Sequence, residues 1–187
     1  EVREQVAVGA GESVKRTVLI GMGRLDLSAR VDAPATTQAG RDAVSFQVTA
    51  LDGGAREIGR YSTSPQTVEL PAGAYRIDAQ IGGQNVRASQ RVQVAAGRST
   101  RVAFDLEAAR ITLRVAPTAT GSGLADVFWE IADAKGGVVW RTGQIEPRVV
   151  LAPGRYTVTT QLRESSLRDA FEVRPGEART VEIGRAR

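Results

Sequence analysis

The side chains that most often carry chemistry are missing or scattered in this sequence. Its 187 residues include 0 His and 0 Cys. That removes disulfides, thiolate nucleophiles, structural zinc of the Cys/His kind and any triad that uses His as base. With 1 Met, a thioether copper site is excluded as well. What remains is carboxylate and aromatic chemistry. Calcium asks for clustered oxygens at fixed spacing. Asp26, Asp32, Asp42 and Asp52 recur but form no Asp-x-Asp-x-Asp-Gly loop, and later only Asp126 and Asp133 stand in comparable regions. Exposed strand and turn carboxylates account for them, with a calcium ion at a junction between repeats as the open alternative. Glycoside hydrolysis needs two carboxylates at a defined separation, and no pair is singled out. Gly121-Ser-Gly123 and Gly21-Met-Gly23 lack the Lys-Ser/Thr of a phosphate loop and read as turns or linkers. A Lys–Asn amide crosslink needs a buried strand Lys opposite a late-strand Asn. The single Asn is Asn85, Lys15 lies near the front, and Lys135 sits in a turn beside two glycines, so that crosslink is excluded. Two aromatic side chains stand out as interaction candidates: Trp140 on a short predicted strand, and Tyr61 at the corresponding loop. Either could stack on a sugar or anchor a partner; the competing reading has them covering a sheet edge. The sequence assigns no catalytic residue, no cofactor and no metal ligand, and the expectation is a protein that is not an enzyme.

Charge narrows the partners. Lys+Arg is 25 against Asp+Glu 21, a formal +4 with a pI near 10.1. All but Lys15 and Lys135 of the basic residues are arginines, interspersed with acids and never in a run of three. A nucleic-acid groove needs clustering, so the charges read as solvated strand faces that discourage edge-to-edge aggregation. No stretch approaches 18 consecutive apolar residues, and membrane insertion of this segment is not expected. No basic-then-apolar signal peptide is present. The chain starts at Glu1 and reads as a mature product or a piece of something longer.

The elements that must position these side chains repeat. Leu70-Pro-Ala-Gly-Ala-Tyr-Arg-Ile-Asp-Ala-Gln-Ile81 aligns with Leu151-Ala-Pro-Gly-Arg-Tyr-Thr-Val-Thr-Thr-Gln-Leu162. Upstream, Val44-Ser-Phe-Gln-Val48 before Asp52-Gly-Gly54 matches Val127-Phe-Trp-Glu-Ile131 before Lys135-Gly-Gly137, and Arg24-Leu-Asp-Leu27 matches Arg110-Ile-Thr-Leu113. The changing offset marks loops of different length. Val6-Ala-Val8, Gly11-Glu12 and Thr17-Val18 resemble Phe171-Glu-Val173, Gly176-Glu177 and Thr180-Val181. Residues 1–21 are therefore expected to be the C-terminal hairpin of a preceding module, 22–107 the first full repeat and 108–187 the second.

Alternation of apolar and polar residues dominates both repeats. Leu25, Leu27, Ala29 and Val31 alternate, as do Val44, Phe46 and Val48, and Tyr75, Ile77, Ala79 and Ile81. Asp52-Gly-Gly, Pro71-Ala-Gly, Gly82-Gly83 and Ala96-Gly97 supply turns between them. Strands are expected near 24–31, 43–50, 55–60, 67–70, 74–81, 86–94 and 99–106, then near 110–116, 126–133, 138–142, 148–151, 155–162, 167–173 and 178–183. Seven short strands per repeat predict an all-β chain of two tandem, seven-stranded, antiparallel Ig-like β-sandwiches. Phe46 and Trp129 fall in the same slot and should centre the two cores.

At Leu70–Tyr75 and Leu151–Tyr156 the chain resembles bacterial Ig-like and prealbumin-like β-sandwich repeats, including carboxypeptidase-regulatory-like and PEGA-type modules. In these a strand ends in Leu, turns through Pro and Gly, and resumes with Tyr. The resemblance implies extracytoplasmic, non-catalytic modules of larger bacterial proteins, periplasmic or at the cell surface. The expected role is a structural spacer or interaction scaffold whose partners are neighbouring repeats, other envelope proteins, or further copies meeting through edge strands. An odd strand count puts the ends of each module at opposite poles, so modules joined by Gly21-Met-Gly-Arg24 and Glu107-Ala-Ala-Arg110 should stack head to tail. The alternatives are a ligand- or glycan-binding module using Trp140, and an accessory domain of an enzyme or a von Willebrand A-type protein lying outside this chain.

Overall fold

The computed structural model describes residues 7–11, 13, 15, 21–32, 44–81, 85–117, 127–163 and 165–184. Most of the expected hairpin at 1–21 lies outside these residues, as do Asp42, Gly121-Ser-Gly123 and Asp126. The chain is all-β, and its described residues form fourteen strands: β1 (Met22–Asp32), β2 (Val44–Ala50), β3 (Arg56–Tyr61), β4 (Gln66–Pro71), β5 (Gly73–Ile81), β6 (Arg87–Val94), β7 (Ser99–Glu107), β8 (Ala109–Val115), β9 (Phe128–Asp133), β10 (Val138–Thr142), β11 (Arg148–Leu151), β12 (Gly154–Gln161), β13 (Ser166–Val173) and β14 (Ala178–Ile183). Among the described residues there is no α-helix. The largest departures from the alternation are at Met22, where β1 begins two residues early, and Phe128, where β9 begins two residues late.

The strands form two sandwiches of the same topology. In the first, a three-stranded sheet β4-β1-β7 faces a four-stranded sheet β3-β2-β5-β6; in the second, β11-β8-β14 faces β10-β9-β12-β13. Most pairs are antiparallel, but β1·β7 and β8·β14 run parallel, with Arg24 beside Ser99 and Asp32 beside Glu107. Alternation reports which face a residue occupies, not strand direction, so those parallel pairs were not visible in the sequence. They have a geometric consequence. Because β1 and β7 point the same way, the chain enters the first sandwich at one pole and leaves it at the other.

Each sandwich buries its own core. Leu25, Leu27, Phe46, Val48, Ile77 and Ile81 lie in the first; Ile111, Leu113, Trp129, Ile131, Leu151 and Val158 lie in the second. Phe46 tilts against Phe104 at 6.1 Å between ring centroids. Trp129 is fully buried, and its indole N–H donates to the Gln144 carbonyl at 2.8 Å, which satisfies its polar atom. Val92, Leu162, Phe171 and Val181 are half-buried, because edge strands and loop ends cover them from one side.

Between the sandwiches the sequence left room for a linker, Glu107-Ala-Ala-Arg110. The structure leaves one residue: β7 ends at Glu107, β8 begins at Ala109, and only Ala108 lies outside a strand. Gly21-Met-Gly-Arg24 is likewise mostly strand, since β1 starts at Met22.

Candidate functional site

Two polar side chains, Asn85 and Tyr156, meet at the junction between the sandwiches, and they do so because of how one of two related turns is built. Each repeat has a Leu–Tyr segment that turns from one sheet to the other, β4 to β5 and β11 to β12. In both, the tyrosine hydroxyl reaches back four residues to a carbonyl: Tyr75 donates to Pro71 O and Tyr156 to Ala152 O, each at 2.8 Å. This is the logic of a tyrosine corner, a phenol fastening the backbone where strands change sheet. Burial, the larger cause, pushes both hydroxyls above the ordinary tyrosine range; nearby Asp52 adds to it at Tyr75, and at Tyr156 the Asn85 hydrogen bond opposes it.

The two turns differ by an inversion of Pro and Ala. Register aligns Leu70 with Leu151, so Pro71-Ala72 corresponds to Ala152-Pro153. Proline has no N–H. In the first repeat the free donor is Ala72 N–H, which bonds at 2.8 Å to the carbonyl of Gly21, the residue just before β1. In the second it is Ala152 N–H, which donates 3.0 Å across the junction to Oδ1 of Asn85. Asn85 Nδ2 donates in turn to the Tyr156 hydroxyl oxygen at 2.6 Å. The carboxamide is therefore read at both ends: its oxygen accepts from the backbone and its nitrogen donates to a phenol whose own proton is already committed. Only an amide offers an acceptor and a donor in that arrangement.

An apolar plug sits beside this ring of hydrogen bonds. In β11, Val149 and Leu151 face their own core, so Val150 between them should face water. It is instead buried in the hydrophobic cluster of the first sandwich, 3% exposed, with Ala152 packed alongside. The corresponding residue of the first sandwich is Glu69, paired with Arg24 as Val150 is with Arg110, and it is exposed. Ala108 is 0% exposed, whereas Met22 at the equivalent position is 45% exposed. The same turn geometry serves both: Gly97 N–H bonds to Met22 O, and Gly176 N–H to Ala108 O. Alongside the junction a cleft of about 280 Å³ opens between Arg87, Asp105, Glu107 and Pro153.

The residues singled out from sequence lie elsewhere. Trp140, on β10 opposite Ile131, and Tyr61, on β3 opposite Phe46, are half-buried and packed against the cores of their own sandwiches. Register puts Trp140 at the position of Gly59, since Gly59 pairs with Val48 as Trp140 pairs with Ile131. The Tyr61 ring lies over Gly59, its hydroxyl 3.0 Å from where a Cβ would sit. One aromatic thus caps each core at this edge, supplied by strand positions two apart. Asp26 accepts from Arg24 and Thr67, and these bonds, Arg24 first, hold its carboxyl below the usual range. Asp52 accepts from Ala74 N–H, and Asp133 from the N–H groups of Lys135 and Gly137. Among the described residues no three His, Cys, Asp or Glu side chains converge. Several arginines pair with acids, across neighbouring strands in Arg30–Asp105 and Arg141–Glu130 and from β8 to the segment before β11 in Arg114–Glu146. No helix among the described residues is long and apolar enough to cross a membrane.

Neither Asn85 nor Val150 is a binding candidate in the sequence alone. Val150 had a readable signal, three apolar residues in a row where alternation calls for a polar one.

Comparison with known proteins agrees with the repeat. Residues 110–185 match the family described as the Rhizobiales growth-associated tandem repeat domain. No curated protein matches the chain. Among solved structures, GBS52, the minor pilin of Streptococcus agalactiae, is 15% identical with a TM-score of 0.44 over 86% of this chain and 94% of its own. The shaft pilin SpaA of Lactobacillus rhamnosus GG is 12% identical with a TM-score of 0.34 over 87% and 97%. The Bacillus anthracis TIE protein is 14% identical with a TM-score of 0.34; 87% of this chain aligns with 34% of that longer protein. At these identities and TM-scores the likenesses say nothing of what this chain binds or does.

Proposed function

We propose that this chain is a non-catalytic spacer and interaction scaffold within a larger bacterial envelope or secreted protein. Its units are two sandwich modules at 22–107 and 108–187, preceded at 1–21 by the closing hairpin of a further copy. Kinship with the prealbumin-like and PEGA-type modules is part of the same reading. The observation that carries it is the junction: opposite-pole entrance and exit, with Ala108 alone between β7 and β8. Two bodies joined in this way set a distance and a direction. The match of residues 110–185 to a growth-associated tandem repeat domain supports a parent protein built from such repeats. Partners are then neighbouring repeats and other envelope proteins.

The test is replacement in the parent protein. Exchanging residues 22–187 for an unrelated rigid pair of β-sandwiches of equal length should preserve the parent's cellular function, and a flexible Gly/Ser segment of equal residue number should not. A binding module would lose function in both exchanges. The glycan-binding alternative rests on Trp140; a glycan array whose signals vanish in Trp140→Ala, with the fold intact, would favour it over the spacer.

A further inference from the structure

We infer that the junction is a directional lock, written in three positions: Asn85 at the C-terminal pole of the first sandwich, and Val150 and Ala152 at the N-terminal pole of the second. This deepens the spacer reading and rests on it. The N-terminal pole of the second sandwich is the docking face for the C-terminal pole of the first, which presents a primary carboxamide beside an apolar rim. Three observations make the face specific. Ala152 N–H and the Tyr156 hydroxyl oxygen take the two ends of the Asn85 amide. Val150 enters the apolar cluster of the first sandwich. The Ala-Pro order frees the outward N–H that a Pro-Ala order removes.

The lock does not propagate to the outer poles of this pair. The first sandwich carries Glu69 and Pro71 where the second has Val150 and Ala152. Docking there in the same way would bury a carboxylate and find no donor for an amide oxygen. At the far end, the sequence between β12 and β13, residues 162–165, contains no Asn or Gln. The pair is thus one rigid unit whose two outer junctions must be made differently.

The absence of cysteine makes the test direct, because introduced cysteines are the only labelling sites. Spin labels at Ala103→Cys and Ala170→Cys, exposed strand positions in the two sandwiches, report the inter-module distance by pulsed electron resonance. The otherwise unchanged protein should give a single narrow distance peak. Asn85→Ala, Asn85→Asp and Val150→Glu, the last borrowing the residue of the first sandwich, should each lose that peak for a broad distribution. Glu69→Val should leave it unchanged. Amide NMR spectra establish that each module stays folded in each variant. A narrow peak that persists in Asn85→Ala and Val150→Glu overturns the lock and leaves the spacer intact, with the Ala108 connection alone fixing the angle. A broad distribution in the unsubstituted protein overturns both.

Discussion

Thr160 is 0% exposed, on β12 within the second sandwich, and its hydroxyl finds no hydrogen-bond partner. The equivalent residue of the first sandwich is Ala79, also fully buried. A hydroxyl taken from water and left unpaired costs about 1–3 kcal/mol. Thr160→Val keeps the branched shape and removes the oxygen, so it should stabilise the second sandwich by roughly 1 kcal/mol, read as a higher urea midpoint at unchanged slope. A lower midpoint would mean that the hydroxyl is satisfied in solution. The two tyrosine corners make a second prediction. Because Tyr75 and Tyr156 are held above the ordinary range, chiefly by burial, the folded chain binds those phenolic protons more tightly than the unfolded chain. Their contribution is complete below the ordinary tyrosine value of about 10 and is lost as pH rises through the folded values. Stability should fall steeply in alkali, and Tyr75→Phe with Tyr156→Phe should flatten that fall. An equal alkaline loss in the double variant would place its origin elsewhere.

Strands were the most legible level of this sequence. Alternation gave the faces of Phe46, Trp129, Ile77 and Val158 because a half-buried strand must place every second residue in its core. It did not reveal the parallel pairing of β7 and β14, which is a matter of chain path. It also left the junction unread: Val150 and Asn85 act between repeats, and a pattern analysed within one repeat treats such residues as noise. At the opening of β1, Gly23 shows what the repeat comparison alone conceals. A Cβ there would collide with Ala95 O and stand 2.6 Å from a Val94 methyl, while Ala109 occupies the equivalent position of the second sandwich fully buried. Gly23→Ala therefore makes the repeats more alike and should still destabilise the first by about 1–3 kcal/mol, the usual cost of overpacking. Thermal unfolding that left the first sandwich unchanged would show that the turn at Ala95–Arg98 can shift aside.

On the scale of the whole molecule, the parallel pairs and the single-residue connection dictate an outline. β1 has 11 residues, which at about 3.3 Å each span about 36 Å. The longest strands of the second sandwich, β12 and β13, have 8 residues and span about 26 Å, so the two bodies in line give a rod of about 60 Å, with a radius of gyration near 20 Å for a cross-section of ordinary sandwich width. A chain of this length folded into one compact body would have a radius of gyration of about 16 Å. Small-angle scattering separates these values easily. The in-line arrangement predicts the larger one, independent of protein concentration, with a distance distribution skewed to long vectors. A value near that of the compact body would require the sandwiches to lie side by side, which Ala108 cannot permit while both β7 and β8 keep their full length. The same measurement tells a rod from a hinge. Lengthening the connection after Ala108 with glycine and serine leaves both sandwiches intact and removes the constraint on their angle. Scattering from that variant should take on the profile of two bodies on a flexible tether, whereas Thr160→Val, buried inside one body, should leave the outline unchanged.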